Sequence, residues 1–363
     1  MIAYARTVAN QHIGRYSQLK ALVCEAFGPP ESLVLKDVSA PVIQPNHVRV
    51  RTQYCSVNFP DALMIQGLHQ YRFEPPFIPG GELSGVVSET GPNVINLAVG
   101  DQITGLSFLG GFAEEAVVPI ERTHKLPAGI NLAQGCCLIG TYGTALHALA
   151  QRAELRAGET LLVLGAAGGS GAAAVQVGKL LGAHVIAAVG SEEKLAFALE
   201  LGADQGFNYT TTPIKEGVGA LSGKRGVDVI YDPVGGEYAD AALRCMAWNG
   251  RYLVVGFASG TIPQFKGNLP LLKGCSIIGV FTGEFLRREP EASRANVAQL
   301  IDWFGNGRLH PAVSSIVPLA QVPGALRRLL DRKAIGKIVA SLQDPASSHP
   351  QPDTPPPGTL PHA

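Results

Sequence analysis

The sequence predicts an α/β protein built on a doubly wound parallel sheet, with a mostly β part before it and a short C-terminal piece that returns to that part. Three observations carry the prediction. From residue 141 to about 284, stretches that are apolar on both faces ("TLLVLG", "HVIAAVG", "VDVIYDPVGG", "GRYLVVGF") alternate with helical stretches, as strands do when helices cover both sides of a sheet. Residues 20–140 instead carry short β segments broken by turn residues. The length, 363 residues, exceeds one ordinary core and suits two domains.

Along the chain, residues 1–19 read as an arm. Leu22, Val23 and Cys24 open a strand-like stretch that Gly28, Pro29 and Pro30 end. "HVRVRTQY", "ELSGVVSET" and "AEEAVVPI" have the texture of short strands. "GTYGTALHALAQRA" sets Ala, Leu and His at helical spacing, and "SGAAAVQVGKLLGA" and "SEEKLAFALELGA" are the helices between the buried strands. Past residue 285, "ANVAQLIDWFGNG" and "PGALRRLLDRK" are helical and "GKIVASL" closes the pattern. This piece is too small for a core of its own, so it is expected to pack back onto the first domain. The Pro- and Ser-rich tail, 344–363, is expected to be disordered.

Composition narrows the function classes. Lys+Arg and Asp+Glu balance at 29 each, so no global field draws nucleic acid or an anionic membrane, and a small molecule is the expected partner. No apolar run approaches the length that spans a bilayer. Six scattered cysteines without a C-x-x-C pair are expected to be free thiols in a reducing compartment. The first twenty residues carry Arg6, Arg15 and Lys20 and no acid. Arg and Ser are not enriched there, so the expected location is cytoplasmic, with a mitochondrial transit segment as the alternative.

The strongest local signal is "TLLVLGAAGGSGAAAVQVGKLLGA". An apolar strand runs into Gly165, Gly168, Gly169 and Gly171, and a helix opens at once. Glycines permit the tight turn and let bare backbone approach a pyrophosphate, which the helix N-terminus attracts through unpaired N–H groups and its dipole. The register "AAGGSG" puts Ala166 where G-x-G-x-x-G has its first glycine, yet the strand before and the helix after supply the context. Ala167, Gly168, Gly169, Ser170 and Gly171 are therefore the expected phosphate cradle of a dinucleotide; a purely structural turn is the alternative. The next strand ends "AAVGSEEK". An NAD site usually has an acid here for the ribose diol. This chain has Gly190 and Ser191, with Lys194 one turn on, which suits a 2′-phosphate and makes NADPH the expected cofactor. The competing reading is that Lys194 is a solvated helix residue pairing with Glu192 or Glu193, and Glu192 weakens the positive field.

A β-rich domain followed in order by "GTYGTALHAL", "GAAGGSGAAAVQVGKLLGA", "YDPVGG" and "VVGFASG" resembles the medium-chain dehydrogenase/reductase superfamily. Within it, the chain resembles the zinc-free quinone oxidoreductase group that includes zeta-crystallin, from about residue 20 to residue 343. The resemblance implies a doubly wound Rossmann domain, 141–284, inserted into a distorted-barrel, mostly β catalytic domain, 20–140 and 285–343. It also implies a cleft between them where nicotinamide meets substrate, and homodimers joined through the Rossmann sheets.

Alcohol dehydrogenases of the superfamily hold catalytic zinc through a Cys in the first domain and the His of a Gly-His-Glu motif. Here Asn58 stands at the Cys position, the motif reads Gly80-Gly81-Glu82, and no cysteine lies between Cys55 and Cys136. Tetrahedral zinc needs thiolate or imidazole ligands, so no metal is expected; Cys55, Cys137 and His69 read better as buried thiols and a surface imidazole. Without a Lewis acid to hold an alkoxide, simple alcohol oxidation loses ground.

The resemblance suggests further roles. Asn58 would lie near the nicotinamide with Asp61 in the same loop, and Thr141 and Tyr142 would face the nicotinamide ribose. Gly256, Phe257 and Ala258 would carry backbone contacts to the carboxamide, and Phe281 and Gly283 would form another cofactor-side edge. Tyr209 would stack near the adenosine phosphate, and Lys337 would approach the cofactor from the returning segment. Asn58, Asp61 and Tyr71 are the candidate catalytic residues. Their structural alternatives are a turn-holding amide, a helix cap before "DALMIQG", and a packing phenol like Tyr54. A quinone takes its protons from water, so positioning suffices, with Met64, Tyr71 and Phe73 as an expected pocket wall. An enone or enoyl thioester, the second reading, needs an acid for the enolate. A cofactor-binding structural or RNA-binding role is third, and the neutral charge argues against nucleic acid.

Overall fold

The computed structural model describes residues 18–343. The tail and most of the arm lie outside the described residues, while Gln18 and Leu19 already belong to a strand, Gln18–Val23, that pairs antiparallel with Val34–Ser39.

Six parallel strands form the central sheet, in the spatial order Gln205–Asn208, His184–Val189, Thr160–Leu164, Val227–Asp232, Met246–Val254, Ser276–Gly279. Numbered along the chain this is 3-2-1-4-5-6, the order of a doubly wound dinucleotide fold. The apolar runs explain the placement: Val227–Asp232 is buried at every position, and His184–Val189 at all but its first. Each Val, Leu or Ile so covered contributes about 1.5–3 kcal/mol. The order reverses between Thr160–Leu164 and Val227–Asp232, which opens a crevice at their carboxyl ends. The helix Gly169–Leu180 starts there, straight after the first strand.

The second sheet has seven strands, most of them antiparallel. Its path runs Val313–Pro318, Lys337–Ser341, His47–Val57, Glu82–Thr90, Gln102–Leu106, Thr123–Lys125, and Glu115–Pro119 also pairs with His47–Val57. The C-terminal piece does return: Ile338 lies opposite Val57 in an antiparallel ladder, and the same strand runs parallel to Val313–Pro318. Just before it, the Gly336 N–H donates to the Ala167 carbonyl (2.7 Å). One return strand thus touches both the glycine loop and the β domain.

The segment expected as one regular helix, "GTYGTALHALAQRA", is helical but widened. Leu138–Tyr142 and His147–Arg152 are π-helical and flank a short α-helical piece, Gly143–Leu146. The Tyr142 N–H reaches back five residues to the Cys137 carbonyl (3.1 Å). Such widening is common where a helix end serves a site, and here it aims Gly140 and Thr141 at a carboxylate.

Candidate active site

That carboxylate is Glu82. It begins its strand fully buried and collects four donors. Oε1 accepts from the Gly140 N–H (2.7 Å) and the Thr141 N–H (3.0 Å). Oε2 accepts from the Thr141 hydroxyl (3.0 Å) and from Asn58 Nδ2 (3.1 Å). A side chain at position 140 could not share this space, since its Cβ would lie 3.0 Å from the Glu82 carboxyl carbon. The sequence reading used Gly80-Gly81-Glu82 only to argue against zinc and missed this role. A single acid entering an apolar strand after two glycines was the available signal, because a buried charge needs donors.

Asn58 is pinned from both sides. Its Oδ1 accepts from the Lys337 ammonium, which also donates to the Val57 carbonyl (3.3 Å). Its backbone N–H donates to Asp61 Oδ2 (2.8 Å), and the short helix Phe59–Ile65 starts at this box. Asp61 therefore does cap a helix, yet it is also buried beside Glu82 and Lys337. Its carboxyl is raised to about 7, first by burial, with the Glu82 charge adding to the rise and the Asn58 N–H and Lys337 opposing it. Lys337 itself is buried, and its stem crosses the glycine loop so closely that a Cβ on Gly169 would lie 2.6 Å from Lys337 Cδ. Asn58, Asp61, Thr141 and Lys337 are thus brought together. Tyr142 is not: it is fully buried, its hydroxyl donating to Gln176 Oε1 (3.2 Å) and accepting from the Ala312 N–H (2.9 Å). It packs in the core and does not face a ribose.

Tyr71 sits in a second group. Its ring lies 5.5 Å from Phe108 and 6.1 Å from Phe281, and its hydroxyl donates to Glu284 Oε1 (3.4 Å). Burial first, and then Glu284, push this phenol up. Gly283 lies directly under this phenol: a Cβ there would come within 2.9 Å of the Tyr71 hydroxyl and shift the ring. The expected wall of Met64, Tyr71 and Phe73 is corrected in part. Met64 is buried, and Phe73 packs against Phe77 and the β-domain core. Phe108, whose other neighbour is the Arg122 guanidinium at 4.8 Å, takes the place beside Tyr71.

The glycine loop fits a dinucleotide phosphate. A Cβ on Gly171 would lie 2.2 Å from the Gly165 carbonyl oxygen, so no other residue fits there, whereas Gly168 faces almost open space. Gly168 supplies no side-chain cap to the helix Gly169–Leu180, which leaves its first N–H groups without a side-chain acceptor. Ser170 Oγ is tied to the Tyr231 hydroxyl (2.7 Å), which fixes the loop on the fourth strand. The Ala167 carbonyl is already used by Gly336. On the adenosine side, Ser191 caps the helix Glu192–Glu200, accepting from the Lys194 N–H (3.2 Å). Tyr209 packs beside Gly190 and against Tyr238 (4.6 Å). The Lys194 ammonium donates to the Arg332 carbonyl (2.6 Å), while Glu192 accepts from Asn208 (3.0 Å). Arg332, with a left-handed φ of 59°, bears electrostatically on both Lys194 and Tyr209 and was missed in the sequence. The Gly256 and Ala258 N–H groups, expected to meet a carboxamide, are instead spent on the Asp232 (3.3 Å) and Pro233 (3.0 Å) carbonyls. Phe257, between them, is 37% exposed.

Zinc does not fit the donors present. Asn58 offers an amide, Gly81 nothing, and burial pushes the Cys55 thiol well up, away from the thiolate a metal needs. His69, expected at the surface, is buried and turns Nδ1 to the Tyr71 N–H (3.1 Å). Among the described residues no three His, Cys, Asp or Glu side chains gather as a metal site requires.

Comparison with known proteins agrees with this layout. Residues 44–128 match the alcohol dehydrogenase GroES-like domain, and residues 169–304 match the zinc-binding dehydrogenase family. The chain is 38% identical over 342 residues to the bovine (Bos taurus) quinone oxidoreductase-like protein 2, covering 94% of this chain and 97% of that one. It is 31% identical over 328 residues to a 2-haloacrylate reductase of a Burkholderia species, covering 88% and 98%. Among solved structures, the quinone oxidoreductase of Thermus thermophilus, solved also as its NADPH complex, superposes with a TM-score of 0.76 at 32% identity, over 89% of this chain and 99% of that one.

The Asp61 carboxyl generates a testable pH dependence. Between the ordinary carboxylate value and about 7 the folded chain holds a proton that the unfolded chain has lost, so this group's contribution to stability falls as pH rises. Asp61→Asn keeps an oxygen for the Asn58 N–H and never ionises. Its stability relative to the native chain, measured by urea unfolding, is expected to improve from about pH 4 to about pH 7 and then level off. A relative stability that is flat or declines across that window contradicts the buried, proton-holding Asp61.

Proposed function

The chain belongs to the medium-chain dehydrogenase/reductase superfamily, in its zinc-free quinone oxidoreductase-like group, and from that premise we propose that it is an NADPH-dependent oxidoreductase that passes a hydride to a quinone. The observation that carries the reading is the pairing of a bare glycine loop with a following strand that ends in Gly190 and Ser191 beside two cations, Lys194 and Arg332. An acid for a ribose diol is missing there, and guanidinium and ammonium groups suit a 2′-phosphate.

When bound, NADPH supplies the hydride. In this proposal the protein holds and orients. The first N–H groups of the helix Gly169–Leu180 take the pyrophosphate, with Gly168 and Gly171 letting it approach. Lys194, Arg332 and Tyr209 take the adenosine phosphate end. Glu82 and Lys337 lock the Asn58 amide, and with Thr141 it forms the floor on which the nicotinamide side is placed. Phe257, Phe281 and Gly283 border the same space. Tyr71, Phe108 and Phe281 offer flat apolar faces that suit a planar acceptor. A quinone gains one hydride there and one proton from water, so no protein acid is required.

Reduction of an electron-poor alkene is the second reading, favoured by the likeness to the 2-haloacrylate reductase. In that case the Tyr71 hydroxyl is the group that would protonate the carbanion. We further propose the division 20–140 with 285–343 against 141–284, and a homodimer. Trp248, Leu271 and Leu272 are at least 70% exposed near the short edge strand Ser276–Gly279, an arrangement that supports pairing of two sheets.

NADPH oxidation followed at 340 nm against 1,4-benzoquinone, 9,10-phenanthrenequinone, crotonyl-CoA and acryloyl-CoA tests the acceptor. Turnover is expected with the quinones; turnover confined to the enoyl thioesters replaces the quinone reading with the second one. For the cofactor, Lys194→Ala is expected to raise the NADPH dissociation constant about tenfold, the loss of one charge-assisted contact, and to leave NADH little changed. Equal losses for both dinucleotides remove Lys194 from the 2′-phosphate site. Light scattering is expected to give the mass of two chains, and a monomer mass ends the dimer proposal.

A further inference from the structure

A cavity of about 1060 Å³ lies away from the cleft, between the loops of the β domain and the long helix Pro290–Gly305. One face of this helix is buried: Val297, Leu300, Trp303 and Phe304 pack into the core. The adjoining stripe, including Arg294, Ala298 and the half-buried Ile301, lines the cavity. The far wall is Val94, Leu97 and Ile120, and His124 stands among the polar groups. The space is a groove open to solvent on one side, and its volume slightly exceeds the roughly 300–1,000 Å³ of small-molecule sites.

Two of the four charged side chains that line this cavity are ion-paired. Lys125 pairs with Asp101 (2.6 Å), Glu121 lies near Arg122 (3.8 Å), and Asp302 accepts from Asn306 Nδ2 (3.3 Å). Among the described residues Arg294 has no ion-pair partner. His124 adds no second cation: burial, and then the nearby Arg294 charge, lower its imidazole to about 4, so it stays neutral near pH 7. A single planar guanidinium matches one carboxylate in a two-pronged pair. A doubly charged phosphate would meet one cation and the Glu121 and Asp302 carboxylates. The aliphatic walls require an apolar body behind the charged head.

We propose that this cavity is a second ligand site, separate from the reaction cleft, for a small amphipathic carboxylate whose head pairs with Arg294 and whose alkyl or aryl body lies on Val94, Leu97, Ile120 and Ile301.

Calorimetric titration of the full chain loaded with NADP⁺ tests this, with octanoate as the probe, acetate as head alone and 1-octanol as body alone. Octanoate is expected to bind one per chain, with acetate and 1-octanol at least about tenfold weaker. Arg294→Ala is expected to weaken octanoate at least about tenfold and leave 1-octanol unchanged. Ala298→Trp places an indole on the helix wall beside Arg294 and Ile301, where the probe's body would lie, and is expected to weaken octanoate at least about tenfold. Both positions are exposed, so both variants are expected to keep the native melting temperature. Absence of saturable octanoate binding overturns the proposal. So does octanoate binding that both variants leave intact, which would locate the probe elsewhere.

Discussion

A buried carboxylate organises this protein. Taking Glu82 out of water carries a desolvation cost that only well-placed donors offset, and the chain meets that demand from two separate places. Gly140 and Thr141 bring the start of the linking helix, and Asn58 brings the end of the longest β-domain strand. Removing any one donor leaves the charge under-solvated, so the three segments are held in a single arrangement. The π-helical turn at Leu138–Tyr142 fits this view, because the widened backbone aims two consecutive N–H groups at one oxygen.

The return strand supplies the second constraint. Ile338 pairs with Val57, Gly336 binds the glycine loop, and the Lys337 stem spans from Gly169 to Asn58. A residue far along the chain therefore sets the spacing between the phosphate cradle and the amide at the other end of the cleft. This is why a C-terminal piece without a core of its own is indispensable: its few side chains are shared by both halves, and hydride transfer depends on that spacing.

Much of the fold was legible because it rests on local rules. Apolar runs such as "TLLVLG" announce strands covered on both faces, and the glycines at 168, 169 and 171 announce backbone close to a phosphate. The site was legible only where its residue types are unusual for their surroundings. Asn58 and Thr141 stood out through resemblance, whereas Glu82 entered only through the altered zinc motif and Arg332 was not singled out. Their roles come from contacts across 24 to 138 residues of chain, and no periodicity carries such information. Tyr142 misled for the same reason: sitting next to Thr141 in sequence, it faces the opposite way on a helix, into the core. Phe73 and Phe108 are both aromatics near Tyr71 in composition, and only the turn that gives Phe108 a φ of 69° decides which of them reaches it.

The same network accounts for how the cleft stands without a metal. Two carboxylates, Asp61 and Glu82, share a low-dielectric space with one ammonium, Lys337. One cation does not offset two buried anions, so one acid must yield its charge. The donor inventory decides which. Glu82 accepts four hydrogen bonds, while Asp61 is served by the backbone N–H groups of Asn58 and Gly80. Asp61 is accordingly the carboxyl that climbs toward neutrality. Below about pH 7 Asp61 holds its proton, and the Asn58 amide stays clamped between Glu82 and Lys337. The amide is thus fixed by hydrogen bonds from both sides, by a carboxylate on one and an ammonium on the other, with no metal ligand among the groups that hold it.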